Sequence, residues 1–360
     1  MPSRTETGSD STASTKEGAT TDRWKRTDTL RAWGRLLRLR LRWWSTGHLL
    51  ATVTACAVFL VSLWVIAHEV RGYEYAEVWA YLQQLTVTYI LLAAGLTAST
   101  FVVLTGYDAL ALRYVDAQLS TRRIVFSAFI GYAVSQAIGN PILTGGSVRY
   151  RLYSSWGLSP AEVAKSILFA GLSFWLGFFA LGGTVLVIQS STLTAAIDLP
   201  IPAYVLGAVT LVPVVGYAGI TWVRSRPLTL WGWSLDVPPT WMLPAQIGLA
   251  ACDLALASSV VFVLLPPEVG VSLPYLLVSY LIALLAGLVS HVPGGLGVFE
   301  SIMLVMLTPD VPAPALLGGL LAYRGIFHLL PLVLAALAFG AYELKRGVRD
   351  WTGNGSVPAD

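Results

Sequence analysis

Apolar stretches, each long enough to cross a bilayer, recur from Leu49 to Tyr342 and leave this chain few ways to fold. A membrane-spanning helix needs about 20 predominantly apolar residues. Of the 360 residues, 55% are hydrophobic and only 12% are charged, too oily and too charge-poor for a soluble protein of this length. Hydrocarbon offers the backbone no water, so its polar groups must be satisfied within helices. The expectation is an all-α polytopic membrane protein, a helical bundle of about six to eight membrane segments across residues 49–344. No soluble catalytic domain is left over, so no enzymatic activity is expected.

Two places break this pattern. Ser290 to Glu300 puts Pro293, Gly294 and Gly295 and a carboxylate inside an apolar region, and Asn140-Pro141 with Gly145-Gly146 does the same earlier. Backbone that leaves the helix at membrane depth must be buried in protein or line a wet cavity. Both breaks are therefore candidate sites.

Basic residues set the expected topology. Arg31, Arg35, Arg38 and Arg42 fall on one face of residues 30–44, with Leu30, Trp33, Leu37, Leu41 and Trp44 on another. That is the pattern of an interfacial helix on anionic lipid, and nucleic acid is not expected as a partner. Residues 1–29, rich in Ser, Thr and Gly, read as a disordered cytoplasmic tail. Leu49 to Ala67 reads as the first crossing, and the loop with Glu69, Glu74 and Glu77 as external. Arg113, Arg122, Arg123, Arg149, Arg151, Arg224, Arg226, Lys345 and Arg346 mark inner loops and an inner tail over residues 345–360. Both termini are then cytoplasmic. Under this bookkeeping residues 49–188 and 203–342 each read as span, span, broken segment, span, with opposite orientation. Such inverted repeats place a transporter's substrate site at the paired breaks near the midplane.

Ionisable groups within spans cost about 2.5–3.5 kcal/mol each on insertion scales, so each one present needs a reason. Asp108, Asp253, Glu300, Arg324, Arg149 and Arg151 could pair to hold helices together, or line a polar cavity for a charged headgroup. Arg324 and His328 lie one turn apart on a regular helix. Gly294 and Gly295 could free N–H groups at the start of a half-helix from Leu296 to Leu307 for a phosphate, or could let helices pack closely. His48, His68, His291 and His328 are scattered, and Cys56 and Cys252 read as small core residues, so no metal or other cofactor is expected.

Gly139-Asn140-Pro141 with Gly145-Gly146-Ser147-Val148-Arg149-Tyr150-Arg151, and His291-Val292-Pro293-Gly294-Gly295-Leu296-Gly297-Val298-Phe299-Glu300, resemble the membrane domain of the lysylphosphatidylglycerol synthetase/flippase family and its stand-alone relatives. So do the Asp253 segment ending in Leu264-Leu265-Pro266, and Tyr323-Arg324. The resemblance implies a prokaryotic cytoplasmic membrane and movement of phospholipid, including aminoacylated phospholipid, between leaflets. With the paired breaks and buried charges, this makes Asp108, Asn140, Pro141, Gly145, Gly146, Arg149, Arg151, Asp253, Pro293, Gly294, Gly295, Glu300 and Arg324 the candidate headgroup site, in which Arg149 and Arg151 meet the phosphate, Asp108, Asp253 and Glu300 balance an amine or couple to protons, and Arg324 is their counter-charge. The chain ends soon after its last span, so aminoacyl transfer is not expected of it. A rival expectation is a membrane scaffold or subunit that presents lipid to a separate transferase. A separate lipid-modifying enzyme and a second copy of the chain are the partners those readings bring.

Overall fold

The computed structural model describes residues 75–139, 144–191, 201–223, 228–230, 233–308 and 310–353. The expected tail 1–29, the interfacial helix 30–44, the first crossing, Cys56, and the site residues Asn140 and Pro141 lie outside the described residues. All described residues belong to one compact unit, Ala57–Asp360.

Eleven helices are described: α1 (Tyr75–Gln84), α2 (Val87–Tyr114), α3 (Thr121–Ile138), α4 (Thr144–Ser155), α5 (Pro160–Ile188), α6 (Ala203–Val223), α7 (Met242–Val263), α8 (Leu273–Ser290), α9 (Val298–Leu307), α10 (Ala313–Tyr323) and α11 (Leu330–Gly353). A 3₁₀ turn at Pro293–Gly295 precedes α9, and a π-helical turn at Arg324–Leu329 joins α10 to α11. Six helices are long and apolar enough to cross a membrane, with α10 to α11 acting as one of them. The chain is a polytopic helical membrane protein.

Three details differ from the sequence expectation. The expected outer loop contains α1, which packs against α10 and whose Tyr81 hydroxyl donates to the Leu264 carbonyl at 2.9 Å. The Trp- and Pro-rich loop expected on the inner side carries a short antiparallel hairpin, β1 (Leu228–Leu230) with β2 (Trp233–Leu235). Finally, α11 runs to Gly353, into what reads in the sequence as a tail.

Helix lengths explain the two breaks. At 1.5 Å per residue, α3 and α8, of 18 residues each, reach about 27 Å. By the same measure α4, of 12 residues, reaches about 18 Å and α9, of 10 residues, about 15 Å. A bilayer core is about 30 Å thick, so α4 and α9 are too short to span it. Each packs back on the long helix before it, α4 on α3 and α9 on α8, as a hairpin does. Chain order then matches α2, α3, α4 and α5 with α7, α8, α9 and the α10–α11 span. The packing follows the same correspondence: α11 lies on α3 as α5 lies on α8, and α2 packs on α7 at the junction of the halves.

Much of the core belongs to the second half. Leu276, Ala283, Met303, Leu304, Leu307 and Leu316 are fully enclosed, because α8, α9 and α10 pack around one another there. Large side chains such as Val102, Val212, Val215, Trp222 and Leu337 are exposed, as expected for helices whose solvent is lipid.

Candidate functional site

The two breaks meet. α3 ends at Gly139, whose φ of +81° turns the chain out of the helix, and a Cβ there would sit 3.0 Å from the Gly294 nitrogen. Gly294 has φ +61°, and a Cβ on it would sit 2.8 Å from the Ala137 carbonyl oxygen. Only glycine accepts both the left-handed backbone and the close approach. Gly295, also at positive φ, lies against Gly287 of α8. Pro293 starts the turn, where its missing N–H costs nothing. On the other hairpin, Gly145 and Gly146 are buried, and a side chain at Gly145 would overlap Ser135 and the Gly131 carbonyl of α3.

An ion pair stands beside the first break. Arg149 of α4 is 6% exposed and Asp108 of α2 is 2% exposed. The Arg149 Nε donates to both carboxylate oxygens at 3.1 and 3.0 Å, and the Tyr153 hydroxyl donates to Asp108 Oδ2 at 2.7 Å. The guanidinium lies 4.1 Å from the centre of the Tyr132 ring. Asp108 thus holds Arg149 by one nitrogen and leaves the end of the fork over: Nη2 is enclosed and meets no acceptor among the described residues. A buried donor without an acceptor is costly, and so calls for an explanation.

The second break repeats this with different parts. Arg324 donates from Nε to Glu300 Oε1 at 2.7 Å and from Nη1 to the Gly294 carbonyl at 2.6 Å, so it fixes the tip itself. Glu300 Oε2 accepts from the Gly297 N–H at 2.8 Å, at the start of α9. The helix therefore starts at Val298 rather than Leu296, and its positive end is already faced by the protein's own carboxylate. Arg324 opens the π-helical turn, a feature that often marks functional positions. That turn replaces the regular register read from the sequence. It sets the His328 ring edge-on to Tyr323, centroids 5.2 Å apart, with Nδ1 enclosed and without a hydrogen-bond partner among the described residues.

The remaining candidates separate. Arg151 lies at the surface, 61% exposed, in a 2.9 Å ion pair with Glu343 of α11. Lys165 pairs with Asp236, beyond the β-hairpin, at 3.1 Å, and Arg123 stacks over Trp156. Asp253 is buried in the middle of α7, with the Tyr107 hydroxyl 3.5 Å from its Oδ2. Its neighbour Cys252 is exposed, and so faces outward instead of filling the core. His291 is a helix cap in left-handed conformation, its Nδ1 2.7 Å from the Val289 carbonyl oxygen. Among the described residues no group of three or more His, Cys, Asp or Glu could hold a metal ion.

Sequence reading missed the tyrosines. Tyr107, Tyr132, Tyr280 and Tyr323 are buried or nearly so around these charges, and the Tyr280 and Tyr323 hydroxyls lie 2.9 Å apart. The available signal was a hydroxyl-bearing ring at helical spacing beside an acid, as in Tyr107-Asp108.

Residues 52–335 match the family described as Lysylphosphatidylglycerol synthase TM region. The chain belongs to that family. It is 38% identical over 301 residues to the uncharacterized protein slr0712 of Synechocystis, covering 83% of this chain and 93% of that one. Inner membrane protein YbhN of Escherichia coli is 26% identical, over 83% of this chain and 92% of its own. A phosphatidylglycerol lysyltransferase of Staphylococcus aureus is 25% identical over 82% of this chain but only 34% of its own length. Family membership agrees with the motif resemblance. The two breaks that carried that resemblance are the two tips in contact at Gly139 and Gly294.

Proposed function

We propose that this member of the family is a lipid translocase, passing a phospholipid headgroup between leaflets of the cytoplasmic membrane along the two hairpins, with both termini cytoplasmic. The observation that carries the reading is the contact of two hairpin tips, each with an arginine anchored through Nε beside it. A headgroup phosphate would supply the acceptor that Arg149 Nη2 lacks, and displacement of Glu300 by a second phosphate oxygen would release the Gly294 tip from Arg324. Arg151, Arg123 and Lys165 gather at one end of the bundle, the end that positive-inside bias assigns to the cytoplasm. The passage makes and breaks no covalent bond, so the protein acts as a carrier and not as an enzyme. The lipid association of the family, carried by the name phosphatidylglycerol lysyltransferase, supports a phospholipid as cargo.

The test is leaflet exchange of a headgroup-labelled phosphatidylglycerol in liposomes holding the purified protein. Arg149→Lys keeps a cation beside Asp108 but removes the Nη atoms, and Glu300→Gln removes the negative charge that must recapture Arg324 and reset the closed tip after each passage. Both variants should insert and purify normally yet exchange lipid at least tenfold more slowly, the effect of about 1.4 kcal/mol on the barrier. Exchange at the wild-type rate in both would sink the site. A subunit that presents lipid to a separate transferase is the second reading, favoured by the match to a third of the lysyltransferase length. In that case the chain should exchange no lipid alone and should bring its enzyme partner through purification.

A further inference from the structure

Among the described residues, Asp108, Asp253 and Glu300 are the carboxylates enclosed within the bundle, and two of them have arginine partners. Asp108 is 3.0 Å from Arg149 and Glu300 is 2.7 Å from Arg324. Asp253, 7% exposed, makes no ion pair among the described residues, and its bond from Tyr107 is at the 3.5 Å limit. The groups facing it are almost all neutral. α2 brings Tyr107 and α3 brings Tyr132; α8 brings Tyr280 and α10 brings Tyr323. α5 carries only Glu162 and Lys165 among titratable residues, both near its start. On α7 itself the neighbour is the outward Cys252. The nearby cations, Arg149 and Arg324, are already committed to other acids.

A carboxylate enclosed without a cation is so costly that such groups take up a proton instead, and acids of this kind in membranes mark proton pathways. We propose that Asp253 is a proton-binding site that couples headgroup passage to proton movement. With the tips closed, the carboxyl is neutral and accepts weakly from Tyr107. When the tips part and water reaches α7, the carboxyl O–H bond breaks, the proton passes to water, and the carboxylate remains until the site closes again. The Tyr280 hydroxyl of α8 and the Tyr323 hydroxyl of α10 lie 2.9 Å apart, and the Tyr280 ring stands edge-on to Phe299 of the second hairpin, centroids 5.5 Å apart. The coupling rests on the translocation reading; the proton site does not.

Dicyclohexylcarbodiimide attacks protonated carboxyls in apolar surroundings and leaves a stable acylurea, so it separates the three acids. The full-length protein in phosphatidylglycerol liposomes would be treated across about pH 5 to 9, a range that covers buried carboxyls, and mapped by peptide mass spectrometry. Asp253 should be modified, less so as the pH rises, while Asp108 and Glu300 stay unmodified at every pH. No modification of Asp253, or equal modification of all three acids, overturns the proton site. In the second arm, a pH gradient should speed labelled-lipid exchange several-fold in the wild type and leave Asp253→Asn unchanged. An equal gradient response in both overturns the coupling. A wild type that exchanges no lipid while Asp253 still labels would end the translocase reading and leave the proton site standing.

Discussion

Removing either partner of the Asp108–Arg149 pair should damage the fold far more than removing both. Asp108 is 2% exposed and Arg149 is 6% exposed, so each charge depends on the other. Arg149→Met leaves a carboxylate with only the Tyr153 hydroxyl, and Asp108→Asn leaves an unopposed guanidinium stacked on Tyr132. Stranding one buried charge costs about 3–5 kcal/mol, whereas replacing a whole buried pair by groups of similar volume is often close to neutral. Independent sites would give a double variant that loses about 6–10 kcal/mol, the sum of two such losses. The pair predicts that the double variant loses no more than either single one. The assay is equilibrium unfolding in mixed micelles as the fraction of dodecyl sulfate rises, followed by tryptophan emission or helix content. Additivity within about 0.5 kcal/mol would refute the argument, because it would mean that the charges are independently solvated.

Two further outcomes follow from the same geometry. Gly294→Ala should lower stability by roughly 1–3 kcal/mol, the cost of a strained backbone position, because alanine must adopt φ +61° with its Cβ 2.8 Å from the Ala137 carbonyl; thermal unfolding in detergent checks it. Arg151→Ala should cost at most about 1 kcal/mol and less at high salt, since its ion pair with Glu343 is solvent-exposed; the same unfolding assay at two salt concentrations distinguishes it from Arg149.

The membrane body was legible because hydrophobic length is a strong physical signal. Ala203–Val223 and Pro160–Ile188 fall where the two halves read from the sequence begin and end, at 203 and 188, and Ser159 with Glu162 caps the start of the latter helix. Both breaks were legible for a similar reason, since Pro and Gly in hydrocarbon need an explanation. The contact between Gly139 and Gly294 was not legible, because 155 positions in sequence separate residues that meet only after the halves pack. The two arginines of the first patch show the same limit. In sequence Arg149 and Arg151 are alike, yet two positions on a helix point to different faces, and one is sealed against Asp108 while the other reaches solvent. The π turn at Arg324 left no composition signal at all, and α1 was hidden by the charges around it.

If both hairpins contact one headgroup, photo-crosslinking from that headgroup will mark both. A phosphatidylglycerol bearing a diazirine on its headgroup would be activated in liposomes with the full-length protein, and the adducts mapped by mass spectrometry. Adducts should form in both residues 131–153 and residues 291–300, and both sets should be lost together in Arg149→Lys. Adducts confined to the lipid-facing surface, such as Val212, Val215 and Trp222, would contradict that shared contact.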